Sequence, residues 1–324
     1  MREFEKPKIL ISRCIEHKAC RYDGSKIKSD FVKKLKKHVD FITVCPEMQI
    51  GLPVPRESLR LVEHKDSIKF VFSKSGEDKT KDMLDFSNEF LNKTKEKENL
   101  HGIILKGRSP SCGIKDVKVY KTHGKAMALP KKERGLFGKA AIDIFENTPI
   151  EDEGRLTNYN IREHFLTRIY ALADFSKIKK KKTFKSLVKF HSDNKYLLMS
   201  YSQTNLKTLG KLVANHEKKK IKEVLDEYEI YLNKALKTRA NSARNMNMLL
   251  HLMGYFSKEL NKDEKAFFLD TLQDYRNKKA PLSVPLNIIY SWVKRFDEPY
   301  LKTQTIFNPY PKELLDIMDS GKTV

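Results

Sequence analysis

Lys8-Ile9-Leu10-Ile11-Ser12-Arg13-Cys14 decides the fold: it is a short apolar run that ends beside a thiol. The arrangement recurs twice. Phe41-Ile42-Thr43-Val44 runs into Cys45-Pro46-Glu47, and Gly102-Ile103-Ile104-Leu105-Lys106 leads to Ser109-Pro110-Ser111-Cys112-Gly113. Short continuous apolar runs bounded by turn residues read as buried strands. Between the first two, Phe31, Val32, Leu35 and Val39 recur at helical spacing, which makes the unit strand–helix–strand with parallel strands. Ligands of such sheets bind beyond the carboxyl ends of the strands. Cys14, Cys45 and Cys112 all fall there, and three thiolates at one point are what a metal or an iron–sulfur cluster with one open position requires.

Working outward, residues 67–73 form a further strand candidate with Ile68, Phe70 and Phe72 on one face. Thr80 is placed to cap a helix carrying Met83, Leu84, Phe86, Phe90 and Leu91, and Leu136, Phe137, Ala140, Ala141 and Ile144 mark another. The alternation predicts an α/β domain over residues 1–150 with a mostly parallel sheet covered on both faces. Thr148-Pro149-Ile150-Glu151-Asp152-Glu153-Gly154 is an acidic break. Beyond it residues 151–324 read as an all-helical domain. Ile161, Phe165, Ile169 and Leu172 form one stripe, and Met248, Leu249, Leu252, Tyr255 and Phe256 another. A long charged stretch runs from Leu206 to Leu236, and Pro281 and Pro285 precede a helix around Ile288 to Phe296.

The net charge is +22 and mean hydropathy is −0.58. The basic excess is shared, with 32 Lys+Arg against 21 Asp+Glu in residues 1–150 and the same in 151–324. A chain basic in both halves attracts a polyanion, and nucleic acid is the usual one. No run approaches a membrane span, and the charged start Met-Arg-Glu-Phe-Glu-Lys lacks the apolar core of a signal peptide. The expected compartment is the reducing cytoplasm, where four cysteines serve as ligands or free thiols rather than as a disulfide framework.

Spacing alone leaves the cysteine chemistry open. There is no CxxC pair, and free cysteine also packs as a small apolar residue. The flanks favour a reaction site: Pro46 and Pro110 stiffen the backbone, Gly113 permits close approach, and Glu47, Ser109 and Ser111 bring polar groups to soft ligands. A cysteine nucleophile would need a histidine beside it. His17, His38, His101 and His123 are available, but none lies in a motif. The His-x-Glu and Pro-Cys-x-x-Cys pieces of a zinc deaminase are missing.

The first domain resembles the thiouracil desulfidase family. The resemblance rests on Ile11-Ser12-Arg13-Cys14, Arg21-Tyr22-Asp23-Gly24, Val44-Cys45-Pro46-Glu47, Gly51-Leu52-Pro53-Val54-Pro55-Arg56 and Leu105-Lys106-Gly107-Arg108-Ser109-Pro110-Ser111-Cys112-Gly113. The second resembles the helical YbgA-type domain, through Leu187-Val188-Lys189-Phe190-His191, Asn194-Lys195-Tyr196-Leu197-Leu198-Met199, Leu209-Gly210-Lys211-Leu212-Val213 and Asn308-Pro309-Tyr310-Pro311-Lys312-Glu313-Leu314. Fused chains of this kind are similar to desulfidases that act on 4-thiouridine in transfer RNA.

The resemblance implies a 4Fe-4S cluster on Cys14, Cys45 and Cys112 with one iron free of protein. It implies that Glu47 activates water, that Ser109 orients substrate or passes a proton, and that sulfide leaves on the open iron without net electron transfer. Transfer RNA is the expected partner, gripped through its phosphates. The basic candidates are the lysines at 179–182 and 218–220, Arg239, Arg244, Lys294 and Arg295, and His191, Asn194 and Lys195 are candidates for the same face. Cys20 departs from many relatives, which carry an apolar residue there. As a fourth ligand it would close the site, and the alternative is then a nucleic-acid-binding protein with a structural iron–sulfur or zinc site.

Overall fold

The computed structural model describes residues 2–65 and 67–319. They form two compact units. One holds Phe4–Ala173 and residues 310–319; the other holds Arg2, Glu3 and Asp174–Pro309.

Numbered in chain order, β1 (Lys8–Ser12), β2 (Asp40–Val44), β5 (Gly102–Leu105) and β8 (Ile150–Asp152) build a sheet of order β2-β1-β5-β8 in which every pair is parallel. The register sets Ser12 opposite Val44 and Ile11 opposite Ile104, so the strands end level. Each strand feeds both faces, as the two-residue repeat requires. Leu10, Ile103 and Leu105 join α3 (Thr80–Lys97) and α4 (Leu136–Ile144) through Met83, Leu91, Phe137 and Ala141. Ile9, Ile11 and Ile104 join α1 (Asp30–Leu35) and α5 (Tyr159–Lys181) through Val32, Leu35, Ile161, Phe165 and Ile169. Each fully buried side chain of this size contributes roughly 1.5–3 kcal/mol.

Beside this sheet lies a second that the alternation did not predict. Its strands are β3 (Leu59–His64), β4 (Ser67–Phe72), β6 (Val117–Tyr120) and β7 (Ala128–Glu133), in the order β4-β3-β6-β7. Two of its pairings are antiparallel and one, β3 with β6, is parallel. Residues 67–73 therefore sit in a hairpin and not in the parallel sheet. Thr80 is the first residue of α3 and not its cap: its Oγ1 accepts from the Phe70 N–H (2.8 Å) and donates to Asp78 (2.5 Å).

The acidic break is not where the compact units divide. The stripe Ile161, Phe165 and Ile169 packs on the parallel sheet, so the first half of α5 belongs with it. Gly102 records the close fit, since a Cβ there would stand 2.8 Å from Ile169 Cγ2. The tail returns as well: Tyr310 and Leu314 enter the same core, and the buried Arg162 guanidinium donates to the carbonyls of Leu156 (2.9 Å), Thr157 (3.1 Å), Asp316 (2.5 Å) and Met318 (2.6 Å).

The other unit is helical: α6 (Phe184–Asp193), α7 (Lys195–Tyr201), α8 (Gln203–Ala214), α9 (Ile221–Leu236), α10 (Ser242–Gly254), α11 (Lys262–Arg276), α12 (Ser283–Arg295) and α13 (Pro299–Lys302). Side-chain caps set several starts, among them Thr183, Ser202, Asn241 and the Asn261–Glu264 capping box. Asn215, in the left-handed region, ends α8 and splits the long charged stretch. His191 is a packing residue. Its Nδ1 lies 3.1 Å from the Tyr228 hydroxyl, and burial, then the charge of Lys195, lowers its pKa to about 4.

His191 gives the helical unit an acid sensitivity. Its folded pKa lies below its unfolded value, so the unfolded chain binds the extra proton first and stability falls as pH drops through 6.5, with the loss complete below about 4. The limit is on the order of 3 kcal/mol. Thermal melts of the full chain between pH 7.5 and 4.5 should show a shallower acid slope for His191→Gln than for the wild type; equal slopes would contradict this role.

Candidate functional site

The level strand ends bring the thiols together. Cys14 lies two residues past β1, Cys45 follows β2 and opens α2 (Pro46–Gln49), and Cys112 closes the loop after β5. These three, Cys20, Glu47 and Ser109 line one cavity of about 290 Å³, and none of the cysteines is in a disulfide. The Cys45 thiol donates to the Cys20 carbonyl at 3.9 Å, and Ser111 Oγ lies 3.8 Å from the Cys112 sulfur.

The electrostatics keep the Cys20, Cys45 and Cys112 thiols neutral. Burial pushes Cys112 up to about 12. Cys20 is pushed up to about 11, first by the neighbouring Cys14 thiol. Cys45 is raised by the neighbouring Cys20 thiol and then by burial. Buried thiols of this kind become thiolates only against a positive centre, and soft sulfur donors select soft metals and iron–sulfur clusters. Among the described residues no three His, Cys, Asp or Glu groups converge as the ligands of one ion do. A cluster distributes its cysteines over separate irons. A cavity walled by separate thiols fits that demand.

Beside the thiols stands a fixed carboxylate. Arg56, whose side chain is 2% exposed, donates to Glu47 Oε2 through both Nε (3.0 Å) and Nη2. The same guanidinium donates to the Cys20 carbonyl (3.2 and 3.3 Å) and that of Pro53 (3.1 Å). Ser111 Oγ donates to the other Glu47 oxygen at 2.7 Å, and Ser109 Oγ lies 2.9 Å from Ser111 Oγ. Ser109 Oγ also accepts the backbone N–H groups of Ser111 (3.3 Å) and Cys112 (3.2 Å). One polar chain thus links Arg56, Glu47, Ser111 and Ser109.

The loop carrying Cys112 is held by the start of α4. The N–H groups of Gly135, Leu136 and Gly138 donate to the carbonyls of Gly113 (2.8 Å), Pro110 (3.2 Å) and Ser111 (3.0 Å). A Cβ on Gly135 would lie 2.5 Å from the Ser111 oxygen, and one on Gly138 2.5 Å from that of Gly113. The glycines let helix and loop touch backbone to backbone.

All five site residues expected from sequence therefore line one cavity. Sequence reasoning gave Arg56 no role, and it missed Gly135 and Gly138. Arg56 stood in a quoted motif, nine residues from Glu47, which was the available signal. The basic candidates in the helical unit divide. Lys179 pairs with Glu229 (2.6 Å), Lys219 with Glu227 (2.7 Å) and Arg295 with Glu264 (2.6 Å), while Arg244 donates to the Tyr201 carbonyl (2.7 Å). Lys180, Lys181, Lys182, Lys218, Lys220 and Arg239 stay exposed. Asn194 is buried, donating to the Phe190 carbonyl (2.8 Å) and accepting from Thr305 (2.8 Å), so it builds the fold.

A model of the 2-thiouracil desulfurase family matches residues 9–153. The uncharacterised protein YbbK of Bacillus subtilis is 33% identical over 110 residues, which covers 32% of this chain and 72% of YbbK. This chain belongs to the 2-thiouracil desulfurase family. A model of a family of unknown function, DUF1722, matches residues 195–311. The uncharacterised protein YbgA of Escherichia coli is 27% identical over 158 residues, covering 48% of this chain and 93% of YbgA. The desulfurase match thus occupies the α/β part and the second match the helical unit. A solved structure described as a [4Fe-4S]-dependent thiouracil desulfidase, TudS, is 24% identical with a TM-score of 0.37, covering 47% of this chain and 93% of that one. Among the described residues no helix is long and apolar enough to cross a membrane.

Gly138→Ala is expected to push the Cys112 loop off α4, since the three atoms nearest its Cβ, the oxygens of Gly113 and Cys112 and the Gly113 carbonyl carbon, are all backbone. Overpacking of this sort costs roughly 1–3 kcal/mol. Denaturant melts should show that loss, with faster alkylation of Cys112 in the folded variant. Unchanged stability and labelling would show that the contact does not hold the loop.

Proposed function

We propose that this desulfurase-family chain hydrolyses the C–S bond of a thiolated uracil, 4-thiouridine in transfer RNA, to give uridine and sulfide in the cytoplasm. The observation that supports this most is the joining of three family cysteine motifs to the Glu47–Ser111–Ser109 chain in one cavity. A 4Fe-4S cluster held by Cys14, Cys45 and Cys112 would supply a Lewis-acidic iron that draws electron density from the soft thiocarbonyl sulfur.

The protein residues supply the rest. Arg56 keeps Glu47 in one orientation with Oε2 occupied, and Ser111 bonds Oε1. Glu47 takes a proton from the water that attacks the ring carbon. Ser109 orients the base and returns a proton to the departing sulfur. A C–O bond forms, a C–S bond breaks, and carbon and sulfur keep their oxidation levels, so no reductant is consumed. Thiolated uridine must leave its stack to reach such a cavity. The shared positive charge and the exposed lysines at 180–182 suit a grip on phosphates that positions the RNA without reading its sequence.

The second reading, a nucleic-acid-binding protein with a structural cluster, draws on Cys20, a fourth thiol lining the cavity with Cys14, Cys45 and Cys112. Activity separates the two. Anaerobic protein loaded with iron and sulfide should abolish the thiouridine absorbance of 4-thiouridine-containing RNA. Glu47→Gln should slow this by roughly 10²–10⁴-fold with iron content unchanged. Persistence of the absorbance with fully loaded wild type would sink the proposal.

A further inference from the structure

Cys20 is fully buried, in the unit whose apolar cores include Cys112 and pack against Cys14. It lines the cavity with Cys14, Cys45 and Cys112, and its carbonyl accepts the Cys45 thiol at 3.9 Å. Its backbone is pinned from two sides. The Arg56 guanidinium holds its carbonyl at 3.2 and 3.3 Å, and the Arg56 N–H holds the Tyr22 carbonyl at 2.8 Å. The residue that fixes Glu47 therefore also fixes the fourth thiol.

Electron balance excludes one role. The sulfur of a thiocarbonyl leaves as sulfide, and turning sulfide and a thiol into a persulfide removes two electrons. Hydrolysis supplies no oxidant to take them, so sulfur carriage is not the role assigned to Cys20.

We propose that Cys20 is an exchangeable fourth ligand, binding the iron that Cys14, Cys45 and Cys112 leave open whenever substrate is absent. The inference rests on the cluster reading above. On binding, the thiol releases its proton to solvent and an iron–sulfur bond forms. When substrate sulfur arrives that bond breaks and the thiolate regains a proton, with no electron transferred. The exchange keeps the open iron from solvent and oxygen between turnovers while leaving it reachable. A site of this kind has four thiols at rest and three during reaction, which reconciles the family's three cysteine motifs with the fourth thiol of this chain.

The test compares full-length wild type, Cys20→Ser and Cys20→Ala after anaerobic reconstitution, by iron and sulfide content, Mössbauer spectroscopy and electron paramagnetic resonance. Circular dichroism checks the fold, and the isosteric serine guards against misfolding of the alanine variant. Both variants should hold four irons per cluster, show one iron with altered Mössbauer parameters, and convert in air to a three-iron form several-fold faster than wild type. Adding 4-thiouracil should shift that iron in wild type. Loss of the whole cluster from both variants would make Cys20 an obligatory ligand and overturn the exchange. Spectra and air lifetime equal to wild type would show that it does not touch iron, again overturning it. A wild type that takes up no iron fails at the first assay, before the variants are compared, and removes the cluster reading along with this one.

Discussion

The level register of β1, β2 and β5 is the constraint on which the site depends. Ser12 stands opposite Val44, and Ile11 opposite Ile104. Because side chains alternate with period two, a one-residue slip of any strand would turn its core residues to the wrong face. The register is therefore secured by both cores at once, Leu10 and Ile103 on one side and Ile9, Ile11 and Ile104 on the other. Chain leaving such a register must deliver Cys14, Cys45 and the Cys112 loop to one edge. Packing energy spent on the sheet thereby fixes the cavity.

What the sheet cannot fix, buried polar contacts do. Arg56 anchors Glu47 and the Cys20 segment together. A buried guanidinium–carboxylate pair is weak evidence of added stability, because both groups are desolvated. Its value here is orientation: the carboxylate has one oxygen assigned to Arg56 and the other to Ser111. The α4 start does the same for the loop, its N–H groups meeting loop carbonyls that would otherwise be buried without partners.

Three strands of the parallel sheet were legible in the sequence because they are continuous apolar runs, and the cavity residues because those runs fix the strand ends, whereas β8, Ile150-Glu151-Asp152, lay hidden in the acidic break. The second sheet was not. Leu59-Arg60-Leu61-Val62-Glu63-His64 mixes charge into a short strand, and Ala128-Leu129-Pro130-Lys131-Lys132-Glu133 is an edge strand with a proline. The stripe Ile161, Phe165, Ile169 was legible as a helix face, but periodicity does not say which core the face joins. The contact of Gly135 and Gly138 with residues 109–113 joins positions 22 to 27 residues apart, and no local pattern encodes it. His191 and Asn194, candidates for an RNA face, proved to be held by Tyr228 and Thr305.

The central claim is that water replaces sulfur at the ring carbon without electron transfer. The most direct measurement is anaerobic turnover of 4-thiouridine-containing RNA in ¹⁸O-labelled water with no reductant added, followed by mass spectrometry of the released nucleosides. Hydrolysis gives uridine carrying one labelled oxygen, with one sulfide released for each. Uridine without the label, or a reaction that runs only with an electron donor, would contradict it.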